Sequence, residues 1–158
     1  MPTGLVRIYS HGHLHFITCS CYGRQQRFKD PRARSVFEEI CEDVRRKLEF
    51  EVFGYVVMPE HFHILISEPR KDDPSMALQI LKQRVARKLN AAGSEGDFWQ
   101  RRFYDFNVTN QRKKIEKIKY MHRNPVRRGL VEHPEDWEWS SFRVYLTGQQ
   151  RVLQVTTT

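Results

Sequence analysis

Hydrophobic and polar positions along GYVVMPEHFHILISE, residues 54 to 68, follow the period of two that a strand imposes on its side chains. That alternation puts Phe62, Ile64 and Ile66 on one face and His61, His63 and Leu65 on the other. Pro59 cannot donate to a ladder, so Met58, Pro59 and Glu60 read as the tight turn of a hairpin joining EVFGYVVM to HFHILISE. Upstream, LHFITCSCYG, residues 14 to 23, is short, β-branched and aromatic, ends at a glycine, and reads as a strand. DPRARSVFEEICEDVRRKLEF opens with an Asp-Pro start signal and spaces Val36, Phe37, Ile40, Val44 and Leu48 at helical intervals. DPSMALQILKQRVARKLNAAG predicts a second helix that stops at Gly93. FWQRRFYDFNV reads as a fourth strand.

The order strand, helix, strand, strand, helix, strand predicts an α+β fold: a ferredoxin-like split βαβ sandwich, an antiparallel sheet with helices on one face. A third helix follows in TNQRKKIEKIKYMHRNPVRRGLV, from about residue 111 to 123, because Pro125 disfavours helix past Asn124. Its apolar stripe is Ile115, Ile118, Met121 and His122. Glu116, Tyr120 and Asn124 share another face at i, i+4 and i+8.

At 158 residues and 39% hydrophobic content, the chain is expected to form one domain over residues 1 to 158, with 1 to 13 and 148 to 158 as flexible ends. MPTGLVRIYS contains no apolar run of signal-peptide length and no stretch reaches about 18 apolar residues, so a soluble, cytoplasmic protein is expected, without a membrane partner. Cys19, Cys21 and Cys41 fit reduced core thiols better than a disulfide framework or a structural zinc site.

Charge alters the picture more than composition does. The formal net charge is +8, yet Lys82 to Arg128 holds 14 Lys and Arg against 4 Asp and Glu, a local +10 that leaves −2 for the remainder. Aromatic residues interleave with these cations, a mixture suited to a phosphate backbone carrying unpaired bases. A solvated basic surface is the competing explanation. Arg101, Arg102, Lys113, Lys114, Lys117, Arg127 and Arg128 are the candidate nucleic-acid contacts, and Trp99 and Tyr104 could clamp a strand beside Arg101 and Arg102, unless Trp99 and Phe103 are core.

The histidines supply candidate chemistry. With a rise of about 3.3 Å per residue, His61 and His63 start roughly 6 to 7 Å apart at Cα, so their rings can converge on one ion. HGHLH, with His11, His13 and His15, has the same spacing, but its glycine suggests a lead-in rather than a second metal site.

Together these stretches resemble the single-tyrosine HUH transposases, and within them the REP-associated tyrosine transposases, relatives of the small insertion-sequence enzymes. The resemblance covers roughly residues 9 to 145. It rests on GHLHFITCSCYGRQQRF, YVVMPEHFHILI, FWQRRFYDFNV, KYMHRNPVRRGLV and the tail WEWSSFRVY. It implies that Tyr120 is the nucleophile, that His61 and His63 are metal ligands with Asn124 in the place of a third, and that the added helix carries that tyrosine. The cofactor implied is a divalent ion, Mg or Mn. The partner is single-stranded DNA with hairpin or palindromic repeats, in a bacterial, nucleoid-associated setting, with monomer and homodimer both open. Glu60 stands where many relatives have asparagine and Arg128 where alanine is frequent; Arg128 is expected to add a phosphate contact.

The implied activity is a metal-dependent transesterification that nicks and rejoins single-stranded DNA through a 5′-phosphotyrosine. The alternatives are a module that binds structured DNA or RNA hairpins without cutting, and hydrolysis by activated water. Tyr22, Tyr55 and Tyr104 are rival nucleophiles, read as strand residues serving core or stacking roles.

Overall fold

The computed structural model describes residues 12–90 and 97–157. Four strands, β1 (Leu14–Ser20), β2 (Val52–Val57), β3 (His61–Ile66) and β4 (Tyr104–Val108), form one sheet in the order β2-β3-β1-β4. Every neighbouring pair is antiparallel, as the split βαβ arrangement requires. The helices are α1 (Pro31–Leu48), α2 (Pro74–Leu89), α3 (Gln111–Arg127) and α4 (Phe142–Thr147). Asp30 and Asp73 cap α1 and α2, accepting from the backbone N–H of Arg32 and Met76, and each is followed by proline at the first helical position, where the missing N–H costs nothing. The stop expected at Gly93 lies outside the described residues.

The sheet is covered on both faces. α1 and α2 pack on one through Phe37, Cys41, Val44, Leu78, Leu81 and Val85, against Ile17, Cys19, Phe62, Ile64 and Ile66 of the strands. The added helix α3 takes the other, where Ile118 and Met121 meet Phe16, Val56 and Leu65. Gly54 lets it come close, since a Cβ there would stand 2.8 Å from the Met121 terminal methyl. The cysteines are free and buried, as expected.

Several sequence expectations need correction. β1 ends at Ser20, and Tyr22–Arg24 form a single 3-10 turn, so Tyr22 is not on a strand. β4 is confined to Tyr104–Val108. Trp99 only bridges Cys21, and its indole and the Phe98 and Phe103 rings are buried, which makes Trp99 core and dissolves the clamp expected with Tyr104. The α1 stripe is rotated: Glu38 is buried, accepting from the Tyr55 hydroxyl and a two-pronged contact from Arg151 at 2.8 Å. Ile115 in α3 is exposed.

α3 also runs past Pro125 to Arg127. Proline removes one ladder bond, but the Arg128 N–H still reaches the Asn124 carbonyl at 3.0 Å and the Leu130 N–H reaches that of Pro125 at 2.9 Å. Gly129, at φ 73°, then supplies the left-handed stop.

The tail is docked rather than loose. Trp139 O accepts from Val57 N–H, Thr156 N–H donates to Val52 O, and the Trp137 indole donates to Val57 O at 3.0 Å. These bonds cover the outer edge of β2, which would otherwise present unpaired backbone groups. Leu153 and Val155 are buried. The end expected to be flexible from 148 onward is instead anchored by Leu153, Val155 and Thr156; residues 1–11, including His11, lie outside the described residues.

Candidate active site

Because side chains alternate along β3 and its partners, one row across the sheet holds Val56, His63 and Thr18, and the next pairs His61 with Ser20. α3 lies over these rows. The result is a cleft of about 640 Å³ floored by Phe16, Thr18, His61 and His63 and walled by Lys117, Tyr120, Asn124, Arg127 and Arg128 of α3 and its end, with Arg24 and Tyr104 at its rim.

The two imidazoles converge as their spacing predicts. His61 Nε2 and His63 Nε2 are 3.1 Å apart, and the Asn124 carboxamide comes within 3.5 Å of His61 Nε2. Each ring is held from behind at Nδ1: His61 by Glu60 Oε1 at 2.8 Å, His63 by Thr18 Oγ1 at 2.7 Å. Burial lowers the pKa of both histidines, opposed at His61 by the Glu60 carboxylate; at His63 the drop is large, with the neighbouring His61 and Lys117 acting in the same direction. Both rings are thus neutral near pH 7, the form in which a nitrogen lone pair is available.

This donor set fits a divalent ion. Two donors in adjacent positions on an octahedral ion, at about 2.1 Å from it, stand about 3 Å apart, the separation seen here. Nitrogen donors with an amide suit Mn better than Mg, and a half-turn of the Asn124 amide presents Oδ1 in place of Nδ2. Among the described residues no three His, Cys, Asp or Glu side chains cluster as a ligand set. Of HGHLH, His15 points to the opposite face, between Asp105 and Glu68, and His13 reaches Asn107.

Tyr120 stands edge-on to His63 with centroids 5.4 Å apart and is 41% exposed, so its hydroxyl can meet a substrate. Of its rivals, Tyr55 is fully buried and Tyr22 is exposed outside the cleft, while Tyr104 is at the rim. The predicted cations divide. Lys117, Arg127 and Arg128 line the cleft, and Lys117 lies over the Phe16 and Phe106 rings at 5.0 and 4.6 Å, where burial lowers its pKa. Lys114 covers Phe53 and Lys113 pairs with Glu116. Arg101 lines a separate cleft with Lys82 and Phe98, and Arg102 is exposed and lines neither.

Glu60 and Arg128 are partners: Arg128 donates to Glu60 Oε1 at 2.6 Å. Thr18, Arg24 and Phe16 join the site without having been singled out. The register of β1 against β3 brings Phe16 and Thr18 there and the 3-10 turn after β1 brings Arg24, although the alternation within LHFITCS carried the signal for Phe16 and Thr18.

Residues 8–124 match the family model described as Transposase IS200 like. A REP-associated tyrosine transposase of Escherichia coli is 30% identical over 138 residues, with 86% of this chain and 80% of that protein covered. A solved REP-associated tyrosine transposase bound to a REP hairpin superposes with a TM-score of 0.77 at 25% identity, covering 99% of this chain and 94% of the other. A Deinococcus radiodurans structure, at 18% identity and a TM-score of 0.53, shares the fold. The paired histidines, the tyrosine-bearing helix laid over them and this agreement along the chain place the protein in the IS200-like transposase family, among the REP-associated tyrosine transposases.

Proposed function

We propose that this transposase nicks and rejoins single-stranded DNA at hairpin-bearing repeats, with Tyr120 as nucleophile. The observation that carries the reading is the placement of Tyr120, exposed and edge-on to His63, beside two Nε2 atoms 3.1 Å apart. In the step proposed, the Tyr120 hydroxyl oxygen bonds to phosphorus, the phenolic proton is lost, and the bond from phosphorus to the 3′ oxygen breaks. The products are a 5′-phosphotyrosine and a 3′-hydroxyl. Since the ester keeps the energy of the broken bond, attack by a 3′-hydroxyl reverses the step and joins strands without a nucleoside triphosphate.

His61, His63 and Asn124 would hold the divalent ion, which supplies charge neutralisation at the phosphate and stabilises the leaving oxygen. The chain's own residues do the rest. Lys117, Arg127 and Arg128 give the cleft a positive wall for the phosphate backbone, and Phe16 and Tyr104 offer rings against which a base can stack. The hairpin seen with the solved relative motivates the substrate class.

Incubation with labelled hairpin oligonucleotides carrying single-stranded flanks, in Mg or Mn, tests the reading. A denaturant-stable protein–DNA adduct that disappears with chelator is expected. Tight binding without an adduct on any such substrate would favour the non-cleaving module, and cleavage without an adduct would favour activated water.

A further inference from the structure

We infer that Glu60 is a positioning residue: its carboxylate holds the His61 ring at Nδ1 and ties it through Arg128 to the end of α3, so that this pair sets the affinity of the His61 and His63 site for its ion. The inference rests on the reading of those histidines as ligands.

Glu60 lies in the turn between β2 and β3 and is 3% exposed. A carboxylate so placed must be paired and hydrogen-bonded, and its bonding is lopsided. Oε1 takes His61 Nδ1 at 2.8 Å, Arg128 at 2.6 Å and Arg24 at 3.4 Å, while Oε2 is buried with no partner among the described residues. A carboxylate serving only to join two elements has a better arrangement available, and Glu38 shows it: both of its oxygens take a guanidinium nitrogen of Arg151. Glu60 instead concentrates its donors on the oxygen that faces His61.

Two consequences follow. Accepting from Nδ1–H fixes the tautomer that leaves His61 Nε2 as a bare lone pair aimed at His63, and makes it a stronger donor to a cation. Arg128 also sits one helical turn beyond Asn124, its N–H bonded to the Asn124 carbonyl at 3.0 Å. The Glu60–Arg128 contact therefore anchors the turn of α3 that carries Asn124 to the hairpin that carries His61. His63 is held differently, by the neutral Thr18 hydroxyl.

The test is direct Mn²⁺ titration without DNA, read by the electron paramagnetic resonance of the free ion, on wild type, Glu60→Gln, Arg128→Ala and the double variant. Glu60→Gln is expected to weaken Mn²⁺ binding by about 10- to 100-fold, the range found for carboxylates behind ligating histidines. Arg128→Ala should shift it in the same direction by less, and add little in the Glu60→Gln background, because Arg128 acts through Glu60. Raising Mn²⁺ should then restore much of the turnover of Glu60→Gln, a loss in metal requirement rather than in rate at saturation. Wild-type affinity in Glu60→Gln, or an Arg128→Ala effect undiminished without the carboxylate, overturns the inference. So does a lower unfolding temperature with unchanged metal binding, which would make Glu60 a fold residue. If Glu60→Gln does not fold, Arg128→Ala, at a half-exposed site, decides by the same titration: wild-type affinity there overturns the inference. Wild type that binds Mn²⁺ but forms no adduct with any hairpin substrate would overturn the cleavage reading and leave this one intact.

Discussion

The two faces of the sheet treat histidine in opposite ways. On the α1 and α2 face, His15 is fully buried; burial alone would lower its pKa, but Asp105 and Glu68 outweigh it and raise the value. On the α3 face, burial wins, and the pKa values of His61 and His63 fall although Glu60 touches one of them. A buried imidazole enclosed by carboxylates holds its proton more tightly than a free one, whereas one backed by a single shared carboxylate or a hydroxyl holds it less tightly. The first arrangement joins strand ends. The second leaves lone pairs facing an open cleft. The same alternation that seals Ile17, Phe62 and Ile64 under α1 and α2 turns Phe16, Thr18 and the histidine pair toward α3 and solvent.

The sharpest break between the faces is expected at Tyr120. Tyr120→Phe keeps the ring against His63 and Phe16 but removes the oxygen that would join phosphorus. Adduct formation on a hairpin substrate should vanish in denaturing gels, while the unfolding free energy, at so exposed a position, changes by no more than about 0.5 kcal/mol. An adduct that survives would move the nucleophile elsewhere, with Tyr104 the next candidate in the cleft.

The converse is expected under the other face. Phe37 is fully buried with its ring 4.5 Å from Phe62 and 6.0 Å from Phe28, centroid to centroid. Phe37→Ala should cost about 3 to 5 kcal/mol in denaturant unfolding. Below its unfolding temperature, the folded fraction should still form adduct; loss of adduct in fully folded protein would show that the two faces are not separable.

Gly54 sits where the faces communicate. Gly54→Ala places a methyl group 2.8 Å from the Met121 methyl and 3.4 Å from Ser141 Oγ, so α3 or Met121 must yield. Stability should fall by about 1 to 3 kcal/mol, as for an overpacked core, and the adduct-forming rate of folded protein should fall too, because Tyr120 and Asn124 ride on the same helix. A rate like that of wild type would mean that Met121 absorbs the strain alone.

The smallest effect concerns pH. A histidine whose folded pKa is raised adds stability that is fully present below its unfolded value near 6.5 and is lost as pH rises through the folded value. For His15, with Asp105 and Glu68 as the facing groups, unfolding free energy should decline across that alkaline limb. His15→Asn should remove this decline while leaving Mn²⁺ binding at His61 and His63 unaltered. A limb that persists in His15→Asn would assign it to other groups.

Much of the fold was legible because short-range pattern carries it. The Asp-Pro starts fixed α1 and α2, the period of two placed His61 and His63 together, and Pro59 marked the hairpin turn. Element ends were less legible. FWQRRF has strand composition, yet beyond the single Trp99 bridge to Cys21 it forms no ladder and its aromatics pack under α2, and Pro125 reads as a stop although one lost ladder bond is tolerated when Asn124 and Pro125 are buried. The tail reads as loose because its partner on the edge of β2 is far off in sequence, Val52 for Thr156.

What the sequence determined by itself was the type of the four strands and of α1 to α3, and the presence of paired imidazoles with Tyr120 and Asn124 on one helical face, since these depend only on periods of 2 and 3.6 along a continuous segment. Tertiary structure decided which side of the sheet α3 occupies, which cations reach the cleft, and that Thr18, Glu60 and Arg128 stand behind the site. The Thr18–His63 and Glu60–Arg128 contacts join residues 45 and 68 positions apart. They are fixed by strand register and by the close approach at Gly54, neither of which leaves a periodic trace in the chain.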